Sequence, residues 1–152
     1  MVTVIKPPHN PVKNKDLMTV FLAGSIEMGA AENQQQKVEN YFTDHSIPMI
    51  ILNPRRDDWN SSWVQEHENP QFFQQVNWEL NALDSADLIL MYFSPGTYSP
   101  ISLLELGLYA KSENLVVCCP PGFWRKGNVD IVCARFGIPV YEDLDSLFKV
   151  YF

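Results

Sequence analysis

Glu105 is the one charged side chain between Asp87 and Lys111, and it lies in the middle of the apolar helical pattern PISLLELGLYA. Near a helix N-terminus the helix dipole stabilises a carboxylate, so a purely structural role stays open. The helical neighbours of Glu105 include Ile101 and Leu108, and desolvation beside such apolar surface raises the energy of a carboxylate. A carboxylate held at that energetic cost suggests a functional use.

A second acidic candidate lies in NWELNALDSAD, where Glu79 follows Trp78 on a predicted helix. The periodicity does not decide whether these two side chains face the loops at the sheet edge or point elsewhere. Asp84 is expected to be solvated, and Asp87 to begin the next strand. Two carboxylates at one cleft suit glycosyl transfer, because one attacks an anomeric carbon while the other handles a proton.

Elements that alternate between strand and helix must position these side chains. The segments LMTVFLAG, IPMIILNP, ADLILMYF and NLVVCCPP predict buried strands, and GIPVYEDLDSLFKVYF predicts a short fifth strand with a terminal helix. Helices are predicted from about Ala30 to Asp44, from about Pro70 to Ser85, and over ISLLELGLYAKS. Continuously apolar strands are typical of parallel sheets covered on both faces. The predicted fold is therefore α/β: an open sandwich with a mostly parallel five-stranded sheet flanked by helices, Rossmann/flavodoxin-like, with residues 1–16 extended and residues 17–152 as one domain.

Ligands of such sheets bind at the carboxyl ends of the strands, which here lead into GSIEMG, NPRRDDW and SPGTYSP. The first loop lacks the GxGxxG spacing and the lysine of phosphate-binding loops. Glu27 in that loop would repel an anion, whereas the backbone groups of Gly24 and Ser25 suit a neutral sugar hydroxyl. The second loop is either a solvated turn of Arg and Asp pairs or, with Trp59 and Trp63, a cover for a planar ligand.

Composition excludes several classes of function. The formal net charge of -7 opposes binding of a nucleic-acid polymer, and no apolar run reaches the roughly 20 residues of a membrane span. The start of the chain lacks a secretory signal, which predicts a cytoplasmic protein. The three cysteines are interpreted as reduced core thiols. The three histidines, His9, His45 and His67, lack metal-ligand spacing, so neither a metal nor a cofactor is expected.

Taken together, FLAGSIEMG, NPRRDDW, NWELNALDSAD, SPISLLELGLYA and GNVDIVC resemble the nucleoside 2-deoxyribosyltransferase family from about Val20 to Val140. The resemblance implies that Glu105 is the catalytic nucleophile and that Glu79 contacts the base and assists its protonation. It implies that Asn128 contacts the sugar in a neighbouring subunit's site. The expected partners are deoxynucleosides and free nucleobases, and the expected assembly is a homo-oligomer with shared sites.

Two positions differ from the transferases of this family. Phe21 stands where they have a Tyr that supports the nucleophile, and Ser99 stands where they have an Asp for the sugar 5'-hydroxyl. Relatives that hydrolyse deoxynucleoside 5'-monophosphates also have a Ser near that place and a GSI loop, followed by a basic residue. Here Glu27 follows GSI, which favours an unphosphorylated nucleoside.

The predicted function is base exchange on 2'-deoxyribonucleosides through a deoxyribosyl ester of Glu105. Trp59 and Trp78 are predicted to stack on the base, and Asp58 to accept a hydrogen bond from its edge. The alternatives are an N-glycosidase acting on a deoxynucleoside or its 5'-monophosphate, and a nucleoside-binding domain without catalysis. Asn128 is alternatively a residue of a Gly-Asn turn, with Phe123 and Trp124 covering the subunit's own core.

Overall fold

A computed structural model of the chain describes residues 1–26, 32–57 and 64–152. These residues form a six-stranded sheet in the order β1-β3-β2-β4-β5-β6, together with five helices. The strands are β1 (Val2–Ile5), β2 (Thr19–Gly24), β3 (Met49–Leu52), β4 (Leu88–Tyr92), β5 (Leu115–Cys118) and β6 (Val140–Tyr141). The helices are α1 (Gln34–Asp44), α2 (Pro70–Ser85), α3 (Pro100–Tyr109), α4 (Lys126–Phe136) and α5 (Leu144–Tyr151). The predicted α/β fold with a parallel sheet is confirmed.

The sheet has one strand more than predicted, because β1 lies in the segment expected to be only extended. It pairs in parallel with β3, from Val2 opposite Met49 to Ile5 opposite Leu52. The sequence VTVI consists of β-branched residues, which pack well on a pleated surface. Strand β1 is at the edge of the sheet, so its partial exposure gave only a weak sequence signal.

Helix α2 begins and ends where the sequence predicts. The side chain of Asn69 accepts a hydrogen bond from the backbone N–H of Phe72 at 3.0 Å, and Pro70 occupies the first turn. Both are strong signals for a helix start. The buried face of α2 contains Trp78, but it also contains the polar Gln75 at a position that an apolar residue would normally hold.

Helix α4 was not predicted, and the interpretation of Gly127 and Asn128 as a turn is wrong. Both residues lie in the first turn of the helix, where their low helix propensity is tolerated. Val129 and Cys133 are buried one turn apart, and Gly137 ends the helix with a φ of 68°. A glycine in the left-handed region is the usual C-terminal stop of a helix, so this signal was available in the sequence.

By its internal contacts the chain forms two compact units that alternate along the sequence. The first unit consists of Met1–Leu22 and Asn33–Leu88, and the second of Ala23–Glu32 and Ile89–Phe152. Each has a buried apolar core. No helix among the described residues is long and apolar enough to span a membrane.

The three cysteines, Cys118, Cys119 and Cys133, belong to the core of the second unit. All three are buried and free, which confirms their interpretation as reduced core thiols. Burial raises the pKa of these thiols to about 12, about 11 and about 12 respectively. They are therefore protonated at neutral pH and poor nucleophiles.

Candidate functional site

Three hydroxyl side chains of the second unit, those of Ser25, Thr97 and Ser99, meet beside the backbone of Ser94 in what we call the hydroxyl cluster. The Ser25 hydroxyl contacts that of Ser99 and accepts hydrogen bonds from the Ser94 backbone N–H at 3.0 Å and the Thr97 hydroxyl at 3.1 Å. The Thr97 hydroxyl also lies 2.7 Å from that of Ser99 and 2.8 Å from the Ser94 carbonyl oxygen. The hydroxyls thus satisfy one another while buried.

Ser99 reaches this cluster because of its backbone conformation. Its φ of 48° and ψ of 53° lie in the left-handed region, which costs a non-glycine residue roughly 1–2 kcal/mol. It precedes Pro100 at the start of α3 but makes no side-chain capping bond, since its hydroxyl turns to Ser25 and Thr97 instead. The strained backbone therefore holds a hydroxyl at the N-terminus of α3.

Helix α3 buries two polar side chains beside apolar ones. Ser102, Glu105 and Leu106 are buried, and Glu105 is only 8% exposed. Three apolar residues, Ile101, Leu104 and Leu108, are 57%, 59% and 58% exposed. An amphipathic helix normally buries its apolar residues and exposes its carboxylates, so the burial of Glu105 calls for an explanation.

In the first unit, the residues that follow β3 are bonded to α1. The Asn53 amide donates to the Glu39 carboxylate at 2.5 Å, and its oxygen accepts from the Arg55 backbone N–H at 2.9 Å. The Arg55 Nε donates to the Gln35 Oε1 at 3.3 Å. Glu39, Asn53 and Gln35 are buried, so this loop start is fixed by polar contacts instead of apolar packing.

Helix α2 is bonded to the same loop start through Gln75. Its Nε2 donates to the carbonyl oxygen of Pro54 at 3.0 Å and to Oε1 of Glu79 at 3.0 Å. We call Gln35, Glu39, Asn53, Gln75 and Glu79 the amide cluster.

The carboxyl of Glu79 in this cluster has a strongly shifted pKa. Burial raises the pKa of its carboxyl to about 7, although the hydrogen bond from Gln75 opposes the shift. At neutral pH the carboxyl is therefore protonated about half of the time. A group with that pKa gives up and takes back a proton readily near pH 7, which suits a general acid or base.

Trp78, the predicted stacking residue, is a buried side chain of the first unit. Its indole N–H donates to the carbonyl oxygen of His9 at 2.6 Å, and its ring centroid lies 6.4 Å from that of Phe21. These contacts tie the N-terminal segment to α2. Stacking of Trp78 on a base stays a prediction.

Of the other predicted binding residues, Gly24 ends β2 with a φ of 135°, a conformation that requires glycine. Ser25 and Ser99 are brought together in the hydroxyl cluster. Asp58 and Trp59 lie outside the described residues, as does Glu27.

Asn128 is an exposed residue of α4. Of the two aromatics that precede it, Phe123 is buried against Phe93 with ring centroids 4.9 Å apart. Trp124 is half exposed, donates its indole N–H to the Tyr98 carbonyl oxygen at 2.9 Å, and packs edge-on against the Tyr98 ring. Phe123 therefore covers the core of its own unit, whereas much of Trp124 stays on the surface.

Asp87 lies directly before Leu88, the first residue of β4, one residue from where it was expected to begin the strand. Its carboxylate accepts a hydrogen bond from the Thr19 backbone N–H at 2.8 Å and pairs with Lys13 at 2.9 Å. In residues 1–26, 32–57 and 64–152, no group of three or more His, Cys, Asp or Glu side chains is arranged to hold a metal ion.

Sequence reasoning missed Thr97, Gln35 and Gln75. Gln75 precedes Glu79 by one helical turn, and this i, i+4 spacing was a usable signal for a contact between them. Thr97 lies in the predicted exit loop SPGTYSP, between the predicted strand ADLILMYF and the predicted helix that contains Glu105. Gln35 lies in a run of three glutamines, which predicts a solvated helix surface and gives no sign of burial.

A comparison with protein-family models matches residues 17–123 to the family described as nucleoside 2-deoxyribosyltransferase like. The match includes Ser25, Glu79, Ser99 and Glu105, and it ends before Asn128. No curated protein matches the chain.

Proposed function

Because this chain belongs to the nucleoside 2-deoxyribosyltransferase-like family, we propose that it exchanges the bases of 2'-deoxyribonucleosides through a covalent ester on Glu105. The observation that carries the proposal is the carboxylate of Glu105, which is buried on a helix that exposes Ile101, Leu104 and Leu108. A carboxylate buried in a helix that leaves apolar side chains exposed is a candidate reacting group.

In the first step an oxygen of Glu105 attacks C1' of the nucleoside. The C1'–N bond breaks, its electron pair goes to the departing base, and the base takes a proton from Glu79. The pKa of about 7 supports this role, since the carboxyl then has a proton to give at neutral pH. The missing 2'-hydroxyl of the sugar eases the reaction, because no electron-withdrawing group opposes the oxocarbenium-like transition state.

In the second step a nitrogen of the incoming base attacks C1'. The ester bond breaks and returns its electron pair to the Glu105 carboxylate, while the proton of the incoming base passes to Glu79. Two displacements at C1' restore the original anomeric configuration. No electrons are gained or lost, so the reaction needs no redox cofactor.

The sugar would be held by the loop after β2 and the start of α3. Gly24 allows a close backbone approach, and the hydroxyls of Ser25 and Ser99 can each donate to or accept from a sugar hydroxyl. Asp58, Trp59 and Trp78 remain predicted contacts to the base.

Incubation of the protein with thymidine and free adenine tests the proposal. Formation of deoxyadenosine with release of thymine supports transfer. Release of thymine with free deoxyribose instead identifies a hydrolase. Binding of both compounds without turnover identifies a nucleoside-binding domain and contradicts the assignment of a reaction to Glu105.

A specific observation favours one rival, the hydrolysis of deoxynucleoside 5'-monophosphates. Ser25 and Ser99 lie together at the N-terminus of α3, where backbone N–H groups and the helix dipole favour an anion. Comparison of kcat/KM for deoxyadenosine and its 5'-monophosphate separates the two. We expect the nucleoside to be preferred, because Glu27 adds negative charge to the loop that would bind the phosphate.

We also propose that the active protein is a homo-oligomer in which Asn128 serves a neighbouring subunit's site. Two features of the second unit support this assembly. Ile101, Leu104 and Leu108 form an exposed apolar stripe on α3, and Asn128 is itself exposed on α4. Exposed apolar side chains at helical spacing are typical of a surface that another chain covers.

A further inference from the structure

Gln75 has a buried oxygen without a hydrogen-bond partner among the described residues. The orientation of its amide is not ambiguous, because Nε2 faces two oxygen acceptors, the Pro54 carbonyl and the Glu79 carboxyl. Both contacts require the NH₂ group, so the oxygen must point away from them. Gln75 is 6% exposed and therefore buries an acceptor that is unpaired within residues 1–26, 32–57 and 64–152.

In Gln35 the group without a partner among the described residues is the donor instead of the acceptor. Its Oε1 accepts a hydrogen bond from Arg55 Nε, which is always a donor, so the orientation of this amide is also fixed. Its Nε2 is buried and has no partner among the described residues, and the side chain is 0% exposed. Gln35 thus buries an unpaired donor.

The two amides are bonded to consecutive residues, Gln75 to Pro54 and Gln35 to Arg55. These residues follow β3, at the carboxyl end of a parallel strand, where ligands of such sheets bind. Buried polar groups are nearly always paired in folded proteins, and Gln34 and Thr19 also have buried side-chain atoms without a partner among the described residues. Gln35 and Gln75 differ from these two because hydrogen bonds to the loop start fix which of their atoms stays unpaired, and that pairing requires an explanation.

We infer that Gln35 and Gln75 read the edge of the nucleobase, with Gln35 Nε2 donating to the base and Gln75 Oε1 accepting from it. The inference rests on the proposed function, which makes a nucleobase the ligand. Every common base presents a hydrogen-bond donor beside an acceptor, as in the amino group and ring nitrogen of adenine or the N–H and carbonyl of thymine. Gln75 also contacts Glu79, so one amide would both recognise the base and orient the carboxyl that protonates it.

The test measures binding of free bases, which does not depend on catalysis. Adenine, hypoxanthine, cytosine and thymine are titrated calorimetrically into the wild-type protein at pH 8, and the tightest is then titrated into the variants. Gln35→Glu replaces only the free donor and keeps the oxygen that accepts from Arg55. Gln75→Met keeps the length of the side chain and removes the acceptor.

We expect each variant to weaken binding of the tightest base by about tenfold or more, because a buried group of the base loses its partner. Gln71→Met is the matched control, since Gln71 is an exposed glutamine of the same helix, and it should bind as the wild type does. Circular dichroism checks that each variant is folded. Should Gln75→Met fail to fold, Gln35→Glu decides alone.

Thymidine–adenine exchange is measured beside the titrations. If the wild type exchanges bases but the folded variants bind the base as tightly as the wild type, the inference is overturned and the proposed function stands. If binding depends on both amides while no exchange occurs, the inference stands and the transferase proposal fails. Absence of wild-type binding for all four bases overturns the inference.

Discussion

The hydroxyl cluster of the second unit and the amide cluster of the first unit are both buried and polar, yet they differ in how completely they are paired. Ser25, Thr97 and Ser99 satisfy one another. In the amide cluster, Gln35 and Gln75 make some of their hydrogen bonds, but one donor and one acceptor have no partner in the described part of the chain.

The difference follows from the chemistry of the groups. A hydroxyl rotates and is both donor and acceptor, so a group of hydroxyls can reorganise around almost any small polar ligand. An amide has its donor and acceptor on opposite sides, and once one side is bonded the other is fixed. Hydroxyls suit a sugar that is common to all substrates, whereas fixed amides suit a base that must be recognised. Replacing a functional side chain of the second unit should therefore lower the exchange rate by a similar factor for all bases. Replacing one of the first unit should lower it by a factor that depends on the base.

The largest expected effect is that of Glu105→Gln. Removal of the nucleophile abolishes the ester, so we expect single-turnover rates to fall by at least about 10⁴-fold with every base tested. Near-ultraviolet circular dichroism should show an intact fold. Glu68→Gln, which changes a highly exposed carboxylate, is the control and should retain full activity. A substantial residual rate in Glu105→Gln would eliminate the covalent mechanism.

Glu79→Gln should reduce the rate less and in a base-dependent way. Loss of a general acid typically lowers the rate by about 10² to 10³-fold, and the loss should be largest for bases that leave only after protonation. The base of 7-methyl-2'-deoxyguanosine already has a positive charge and leaves as neutral 7-methylguanine without an added proton, so the variant should be far less impaired with this substrate. The wild-type rate should fall as pH rises through about 7, where Glu79 loses its proton, and the variant should lack that fall. If Glu79→Gln loses as much activity with 7-methyl-2'-deoxyguanosine as with a nucleoside whose base must be protonated, Glu79 is not the proton donor.

The same carboxyl should affect stability without any substrate. Its pKa is about 7 in the folded protein and near the ordinary 4.5 when unfolded, so between these values the folded state retains a proton that the unfolded state has lost. Stability must then decrease as pH rises through this window, by at most about 3 kcal/mol at 1.36 kcal/mol per pKa unit. In urea unfolding at pH 5 and pH 8, the free energy of unfolding of Glu79→Gln relative to that of the wild type should be higher at pH 8.

Asp84→Asn is the control for the stability measurement. Asp84 is an exposed carboxylate on the same helix, and its replacement should change the free energy of unfolding similarly at both pH values. The wild type should lose more stability than Glu79→Gln when the pH is raised from 5 to 8. If both proteins change equally, the Glu79 carboxyl is not desolvated.

The contrast between the two clusters also explains what the sequence could predict. The capping Asn69, the Pro70 after it and the alternation of strands with helices are local signals, and they correctly predicted α2 and five of the six strands. Ser25 and Ser99 were selected as candidates because each lies in a loop or helix start after a predicted strand. Gln35 and Gln75 were missed because a helical glutamine looks solvated unless its contacts in three dimensions are known. Helix α4 was not predicted because Gly127 and Asn128 have low helix propensity. The buried Val129 and Cys133 and the terminal Gly137 stabilise the helix nevertheless.

The smallest expected effect tests whether the site of one chain is complete without Asn128 of a neighbouring subunit. Glu105→Ala and Asn128→Ala should each be inactive if Glu105 is the nucleophile and Asn128 serves a neighbour's site. When the two variants are mixed and exchange subunits at random, half of the dimers are mixed, and each mixed dimer has one site with both residues intact. Activity should then return to about a quarter of the wild-type value. A mixture of Glu105→Ala with Glu105→Gln is the control and should recover nothing, because no site regains the nucleophile. Sedimentation of a fully active monomer, or no recovery after exchange is demonstrated by fluorescence transfer, would refute the shared site and leave the chemistry of Glu105 untouched.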